Sequence, residues 1–308
     1  MVINISSRLE ITPSNYIYLF YKQEFYMAKT HNPLSGFFRT PKIYTKLPSL
    51  GRYYTDDVID LSDTGELAVY PMTAKDEVIL KNPDALLNGE AVAQVIMSCV
   101  PSVKNPRKMI SNDVEALLVA IQGASRGDSV EVSGKCPECG EVCTSTASVE
   151  TALETMSILE ETYSFKTDRG LEIALRPFTY ESTVKAGVAN FQSTRSLQSI
   201  SAITDEMEQL KAFNDSFVRI AQMNFDLVVD SVASVTGTTN GEEFTVYDRA
   251  QIKEFLENCE TSIGRKIEEQ IENINKIGVN KKIQLECDKH GPFEQDIGFD
   301  PVNFFTAS

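Results

Sequence analysis

Cys136-Pro137-Glu138-Cys139-Gly140 and Cys287-Asp288-Lys289-His290-Gly291 lie far apart in the chain, yet both follow one pattern. Each places two ligand-type side chains across a two-residue gap, and each ends on glycine. The chain has only six Cys and two His, so half of these donors fall within the two pairs. A Cys-x2-Cys turn lets both sulfurs point at one centre, and the glycine admits the positive-φ backbone that such a knuckle needs. Cys136, Cys139, Cys287 and His290 therefore predict a closed Cys3His site for structural Zn2+, joining the middle of the chain to its C-terminal part.

The flanks support hairpins on either side. Val130 and Val132 precede the first pair, Ile283 and Leu285 the second, and Phe293, Ile297 and Phe299 follow it in alternation. Each pair then sits at the tip of a β-hairpin, one half of a split zinc ribbon. The competing reading is a redox pair or disulfide at Cys136 and Cys139, with His290 on the surface. Cys143 could replace one ligand, although its place on the outgoing strand of the first hairpin favours a neighbour.

A length of 308 residues allows one large domain or two ordinary ones. Its 42% hydrophobic and 24% charged residues are those of a globular protein. No run approaches the ~18 apolar residues of a membrane span. The patch Tyr16-Ile17-Tyr18-Leu19-Phe20-Tyr21 ends at Lys22 and lacks a basic n-region and cleavage site, so no signal peptide is read. With reduced-type cysteine pairs, synthesis in the cytoplasm is expected. The net charge of −15 argues against a nucleic-acid binder. Lys104, Arg107 and Lys108 form only a weak basic patch.

Four segments are expected: residues 1–52, a tail and Pro/aromatic arm; 53–150, an α+β unit with the first knuckle; 151–282, a β-hairpin and helical domain; 283–308, the second knuckle hairpin and tail. Residues 1–26 read either as an aromatic docking peptide or as an over-extended start or tail. The arm, about Met27 to Tyr54, carries Phe37, Phe38, Tyr44, Tyr53 and Tyr54 among prolines, and is expected to dock on a neighbouring protein; the alternative is an arm wrapped over the N-terminal α+β unit. Short strands are expected over residues 53–72. Thr73 caps a helix through Leu80, with Asp76 and Glu77 in its first turn. Val92, Val95, Ile96 and Cys99 share one helical face, as do Val114, Leu117, Leu118 and Ile121 after a Ser111 cap. Tyr163, Phe165, Leu171, Ile173 and Leu175 predict a hairpin about Asp168-Arg169-Gly170, stopped by Pro177. The next hundred residues read as helical, with a turn at Asn240-Gly241. Ile203, Met207, Leu210, Phe213, Phe217 and Ile220 form one apolar stripe, expected to be a buried core face or half of an antiparallel helix pair, with a coiled-coil partner site as the alternative. Asp248 caps a helix with Ile252, Phe255, Leu256 and Cys259 on its face, and Ile263, Ile267, Ile271 and Ile274 mark the last helix. Cys99 and Cys259 are therefore expected to be core residues.

Catalytic motifs fail on inspection. Gly123-Ala124-Ser125-Arg126-Gly127 matches G-x-S-x-G, but a helix precedes it and a strand follows, the reverse of a nucleophile elbow. Its base would have to be His290, assigned to zinc, or His31 in the arm. No Walker loop or G-x-G-x-x-G is present. Acidic pairs such as Glu160-Glu161 and Glu242-Glu243 read as solvated.

Several stretches taken in order resemble the baseplate hub subunit and hub-assembly group of T4-like tailed phages. They are Leu47-Pro48-Ser49-Leu50-Gly51-Arg52-Tyr53-Tyr54, Pro71-Met72-Thr73-Ala74-Lys75-Asp76-Glu77, Pro177-Phe178-Thr179-Tyr180, the split metal pairs and Phe299-Asp300-Pro301-Val302-Asn303-Phe304-Phe305. The resemblance covers roughly residues 47–305. It implies a non-catalytic structural or assembly role at the hub of a contractile tail. Its partners would be other baseplate or tail proteins, its place the virion, and it allows a homo-oligomer. The alternative is a nucleic-acid-binding zinc-ribbon protein; an enzyme with a carboxylate site is a distant third.

Overall fold

A computed structural model describes residues 32–200 and 205–296. The chain divides after Thr40 into two units. In the first, Asn32 caps a 3-10 turn at Pro33–Phe37 by accepting from the Leu34 amide at 3.0 Å.

The second unit opens with β1 (Ile43–Thr45), antiparallel to β2 (Leu67–Val69). Three short helices follow: α1 (Ala74–Leu80), α2 (Pro83–Leu87) and α3 (Glu90–Cys99). α1 starts where expected, on a capping box. The Thr73 amide donates to Asp76 at 2.7 Å, and the Asp76 amide donates back to the Thr73 hydroxyl at 3.3 Å. α4 (Ser111–Arg126) has Ile110 as its cap, so Ser111 is the first helical residue and its hydroxyl meets that of Thr183 instead. Val92, Val95, Ile96 and Cys99 of α3 pack with Val114, Leu117, Leu118 and Ile121 of α4, both faces fully buried as the periodicity requires.

Beyond α4 come β3 (Ser129–Lys135), β4 (Val142–Ser148) and α5 (Val149–Glu154). β5 (Tyr163–Lys166) and β6 (Glu172–Leu175) form the expected hairpin. α6 (Tyr180–Ile200) and α7 (Glu206–Ser231) pack together as a helical hairpin. The uninterrupted helical reading then fails. β7 (Val232–Thr239) and β8 (Glu242–Val246) form a hairpin about Asn240-Gly241, both at positive φ, and extend the sheet in the order β5-β6-β7-β8. α8 (Arg249–Asn258), capped by Asp248, and α9 (Thr261–Asn275) cover that sheet. Ile252, Leu256, Ile267, Ile271 and Ile274 pack with Ile173, Leu175, Val232 and Val235. β9 (Lys282–Cys287) and β10 (Gly291–Asp296) complete the described chain. The architecture is α+β.

Two expectations about burial change. Cys259 lies one residue past α8, half-buried, because the helix ends before its apolar face can close over it. On α7 the stripe is solvent-facing: Met207, Leu210, Phe213 and Phe217 are exposed and Ile220 is half-buried. Residues 1–31, Ile203, Ile297 and the Phe299–Phe305 motif lie outside the described residues, and His31 with them. Among the described residues no helix is long and apolar enough to cross a membrane.

Candidate metal centre

The first turns of α4 hold distant parts of the chain in register. Asn112 donates its side-chain amide to the carbonyls of Ile274 (3.0 Å) and Ile277 (2.7 Å), catching the C-terminal end of α9. Three residues on, Glu115 pairs with Lys281 at 2.7 Å, immediately before β9. Asp113 is fully buried and accepts from the Ser49 amide at 2.9 Å, from the Ser49 hydroxyl and from the Tyr54 hydroxyl at 2.6 Å. The Tyr54 oxygen in turn accepts from the Ile110 amide at 3.0 Å. Burial pushes the Asp113 carboxyl up to about 6, against hydrogen bonds from Ser49 and Tyr54 that pull it down. The loop that presents Ser49 and Tyr54 turns through Leu50 and Gly51, both at positive φ, and a Cβ at Gly51 would collide with Leu61 Cδ1. Arg52 and Tyr53 add bonds to the carbonyls of Leu159 (3.2 Å) and Glu160 (2.6 Å). Much of the Leu47–Tyr54 motif thus works inside its own unit, so Tyr53 and Tyr54 do not belong to a freely docking arm. Tyr44 is exposed, and Phe37 and Phe38 belong to the first unit.

With Lys281 anchored, β9 packs beside β4. The β3–β4 and β9–β10 hairpins are antiparallel, with Gly134 opposite Cys143 and Cys287 opposite Gly291. Cys136, Cys143, Leu285 and Cys287 are buried together, with Ile283 and Phe293 against them. At Gly134 the hairpins approach closely: a Cβ there would meet Leu285 Cδ1 at 2.5 Å and Gln295 Cγ at 2.9 Å. Both knuckles turn on positive-φ glycines, Gly140 (φ 72) and Gly291 (φ 81). Cross-hairpin contact continues at the tips, where Lys289 pairs with Glu141 at 3.0 Å.

This packing brings together all four residues singled out in the sequence. Cys136, Cys139, Cys287 and His290 each direct one ligand atom into a cluster in which all lie within 4.8 Å, an arrangement that could hold a metal ion. Cys139 Sγ is 3.8 Å from Cys287 Sγ, and His290 Nδ1 is 3.7 Å from both Cys136 and Cys287 sulfurs. Hydrogen bonds from the Lys289 amide and the His290 ring pull the Cys287 thiol down to about 6, while the Cys287 sulfur raises the imidazole. The pair therefore favours thiolate, the form that binds metal. Glu138, between the first two cysteines, faces His290 Nε2 at 3.5 Å. Sequence reading did not single it out, although its place inside the knuckle was the available signal. Cys143 stands outside the cluster, its sulfur 3.8 Å from the Glu141 carbonyl. Burial first, and Cys287 next, push it up to about 11.

A Gly134→Val chain is expected to have weakened metal affinity and more reactive Cys136 and Cys287, because the added side chain separates the hairpins. Overpacking of this kind costs roughly 1–3 kcal/mol. Competition against a chromogenic chelator measures it; unchanged affinity would count against the hairpin contact as the support of the site.

The G-x-S-x-G serine is structural. Ser125 lies in the last turn of α4, where it donates to the Ile121 carbonyl at 2.6 Å and accepts from the Met72 amide at 2.8 Å.

A Cys/His cluster that bridges two distant hairpins of an α+β chain defines a protein whose distant segments meet at a candidate metal centre. The chain belongs to the T4 bacteriophage base plate protein family, whose model matches residues 40–306, a span that includes all four donors. No curated protein and no solved structure matches it.

Proposed function

We propose that this chain is a structural or assembly component of the baseplate hub of a contractile phage tail, stabilised by Zn2+ and without catalytic activity. The observation that carries the reading is the base plate family match, which runs through both knuckles and both cores. The donor geometry suits zinc. With Zn–S near 2.3 Å, a tetrahedron has sulfur–sulfur edges of about 3.8 Å and sulfur–nitrogen edges of about 3.6 Å. Three of the six donor separations are close to these, 3.8 Å for Cys139–Cys287 and 3.7 Å for His290 to Cys136 and to Cys287, and all six lie within 4.8 Å. Glu138 at Nε2 supplies the outer carboxylate that ligating histidines commonly use, leaving Nδ1 for the metal. Bound there, zinc would act as a cross-link, since four protein donors fill a tetrahedral site.

The nucleic-acid reading draws no support from the basic patch. Arg107 pairs with Glu90 at 3.0 Å, Lys108 with Asp57 at 2.7 Å, and Lys104 with Asp60 at 3.9 Å. Phage lacking this chain are expected to yield tails without functional baseplates, and quantitative mass spectrometry of purified baseplates separates a resident subunit from a departing assembly factor. Normal tails in its absence would end the proposal. Truncation before Pro41 is expected to leave thermal unfolding unchanged while reducing incorporation, if the residues ahead of it dock on a neighbouring tail protein.

A further inference from the structure

The candidate metal centre uses three thiols, and a fourth is buried against them. Cys143 shares one small core with Cys136 and Cys287. Strand register sets its direction. Gly134 and Cys143 stand directly opposite each other in the β3–β4 pair, so their side-chain positions lie on one face. A Cβ at Gly134 would meet Leu285 and Gln295, which places that face against the β9–β10 hairpin. Cys136, two residues on from Gly134, belongs to the same face. Leu285 and Cys287 alternate in the same way and are the buried positions of β9. Cys143 therefore points toward the donors. After burial, the groups that act on its thiol are the three ligand sulfurs, Cys287 first and then Cys136 and Cys139, and it shares a hydrogen bond with Cys287.

Charge decides which donor holds the fourth position while both are present. Neutral imidazole brings none, whereas a fourth thiolate adds a negative charge to a site that Glu138 and Glu141 already border. His290 is therefore the resting ligand. Once the imidazole is withdrawn, Cys143 is the better donor, because zinc and softer ions prefer a thiolate to water. Its proton passes to solvent as the bond forms, as for any coordinating thiol. Cys287 belongs to both donor sets, since it is the thiolate that ties the second hairpin to the first.

We propose that Cys143 is a reserve ligand of the centre: with Cys136, Cys139 and Cys287 it makes a four-thiolate set that holds a thiophilic divalent cation when His290 is removed. This role presupposes the metal centre proposed above. It gives a buried fourth thiol beside the donors a purpose that packing alone does not require, and it makes the first knuckle a three-thiol half-site rather than a two-thiol one.

Anaerobic titration of the reduced, metal-stripped full chain with Co2+ is the test, with far-UV circular dichroism confirming the fold of each variant. The parent chain is expected to bind one Co2+ with the thiolate-to-cobalt absorption of three sulfurs. His290→Ala should still bind it, with that absorption raised by roughly a third, four thiolates against three. His290→Gln, which keeps a long polar side chain without an imidazole nitrogen, is the second variant and should behave alike. Adding Cys143→Ser to either should return the absorption to the three-sulfur level. It should also weaken binding by more than the roughly 10–100-fold that loss of an outer-shell partner costs. Adding Cys259→Ser instead, at a thiol remote from the knuckles, should change neither. A parent chain that binds no Co2+ overturns the metal centre itself, and the reserve ligand with it. A parent that binds while both His290 variants fail to bind overturns the reserve ligand alone. Absorption that does not rise does the same, giving the fourth position to Glu138 or water, as does a double variant that matches its His290 parent.

Discussion

Removing the metal is expected to release the β9–β10 hairpin and lower the melting temperature of the chain, while leaving both larger cores folded. The hairpins share a small cluster, Cys136, Cys143, Leu285 and Cys287 with Ile283 and Phe293 beside it, and this is little apolar surface to hold two ribbons together. Structural zinc supplies on the order of 10 kcal/mol in small domains that fold only with metal. Here the separate cores limit the loss to the ribbon and the segments it holds. The purified chain should carry one zinc per molecule. After chelation, thiol labelling should reach Cys136, Cys139 and Cys287, while Cys99, wholly inside the first core, stays protected. Cys287→Ser should reproduce the chelated state. Metal-free protein with the same melting curve and the same labelling pattern would remove zinc from the account.

The second large effect is expected at Asp113. Asp113→Ala leaves the Ser49 amide, the Ser49 hydroxyl and the Tyr54 hydroxyl without their acceptor in a buried site, at a cost of roughly 3–5 kcal/mol. The pH dependence carries a definite sign. Asp113 titrates at about 6 in the folded chain, against roughly 3.9 when unfolded. A raised folded value means that its contribution to stability is fully present below about pH 4 and is lost as pH rises through 6. Two units correspond to about 3 kcal/mol, so the parent chain should lose stability across that window relative to Asp113→Asn, which has no proton to lose. Denaturant unfolding of both chains at pH 4.5 and pH 7.5 measures the difference. Equal shifts in the two would show that Asp113 does not titrate in this range.

Local rules were enough to read the knuckles. Two-residue gaps, following glycines and alternating flanks are properties of short stretches, and they located all four clustered donors. Helix faces such as Val92, Val95, Ile96 and Cys99 were legible for the same reason. The β7–β8 hairpin was misread because Val228, Val229, Val232 and Val235 continue a helix-like spacing out of α7. The overriding signal was Asn240-Gly241 between Thr-rich and Phe244-containing runs, a two-residue hairpin turn. The Asp113 clasp was out of reach: its partners lie 64 and 59 residues away, and nothing local distinguishes a buried aspartate from a helix-capping one. Likewise, periodicity showed that α7 has an apolar face but not what lies against it.

The separation of the donors bears on when the centre forms. Cys139 and Cys287 are 148 residues apart, so a metal holding both closes a loop that spans the second core and the whole helical hairpin. Chain-entropy models give roughly 5 kcal/mol for restraining an unfolded chain by a loop of this size. The same entropy opposes early closure, because contacts so remote in sequence are slow to meet before the intervening structure exists. Asn112 with Ile274 and Ile277, and Glu115 with Lys281, close loops of comparable length beside it. Occupancy of the centre would therefore report that the segments between the two knuckles have come together, distinguishing such chains from those that have folded only in part.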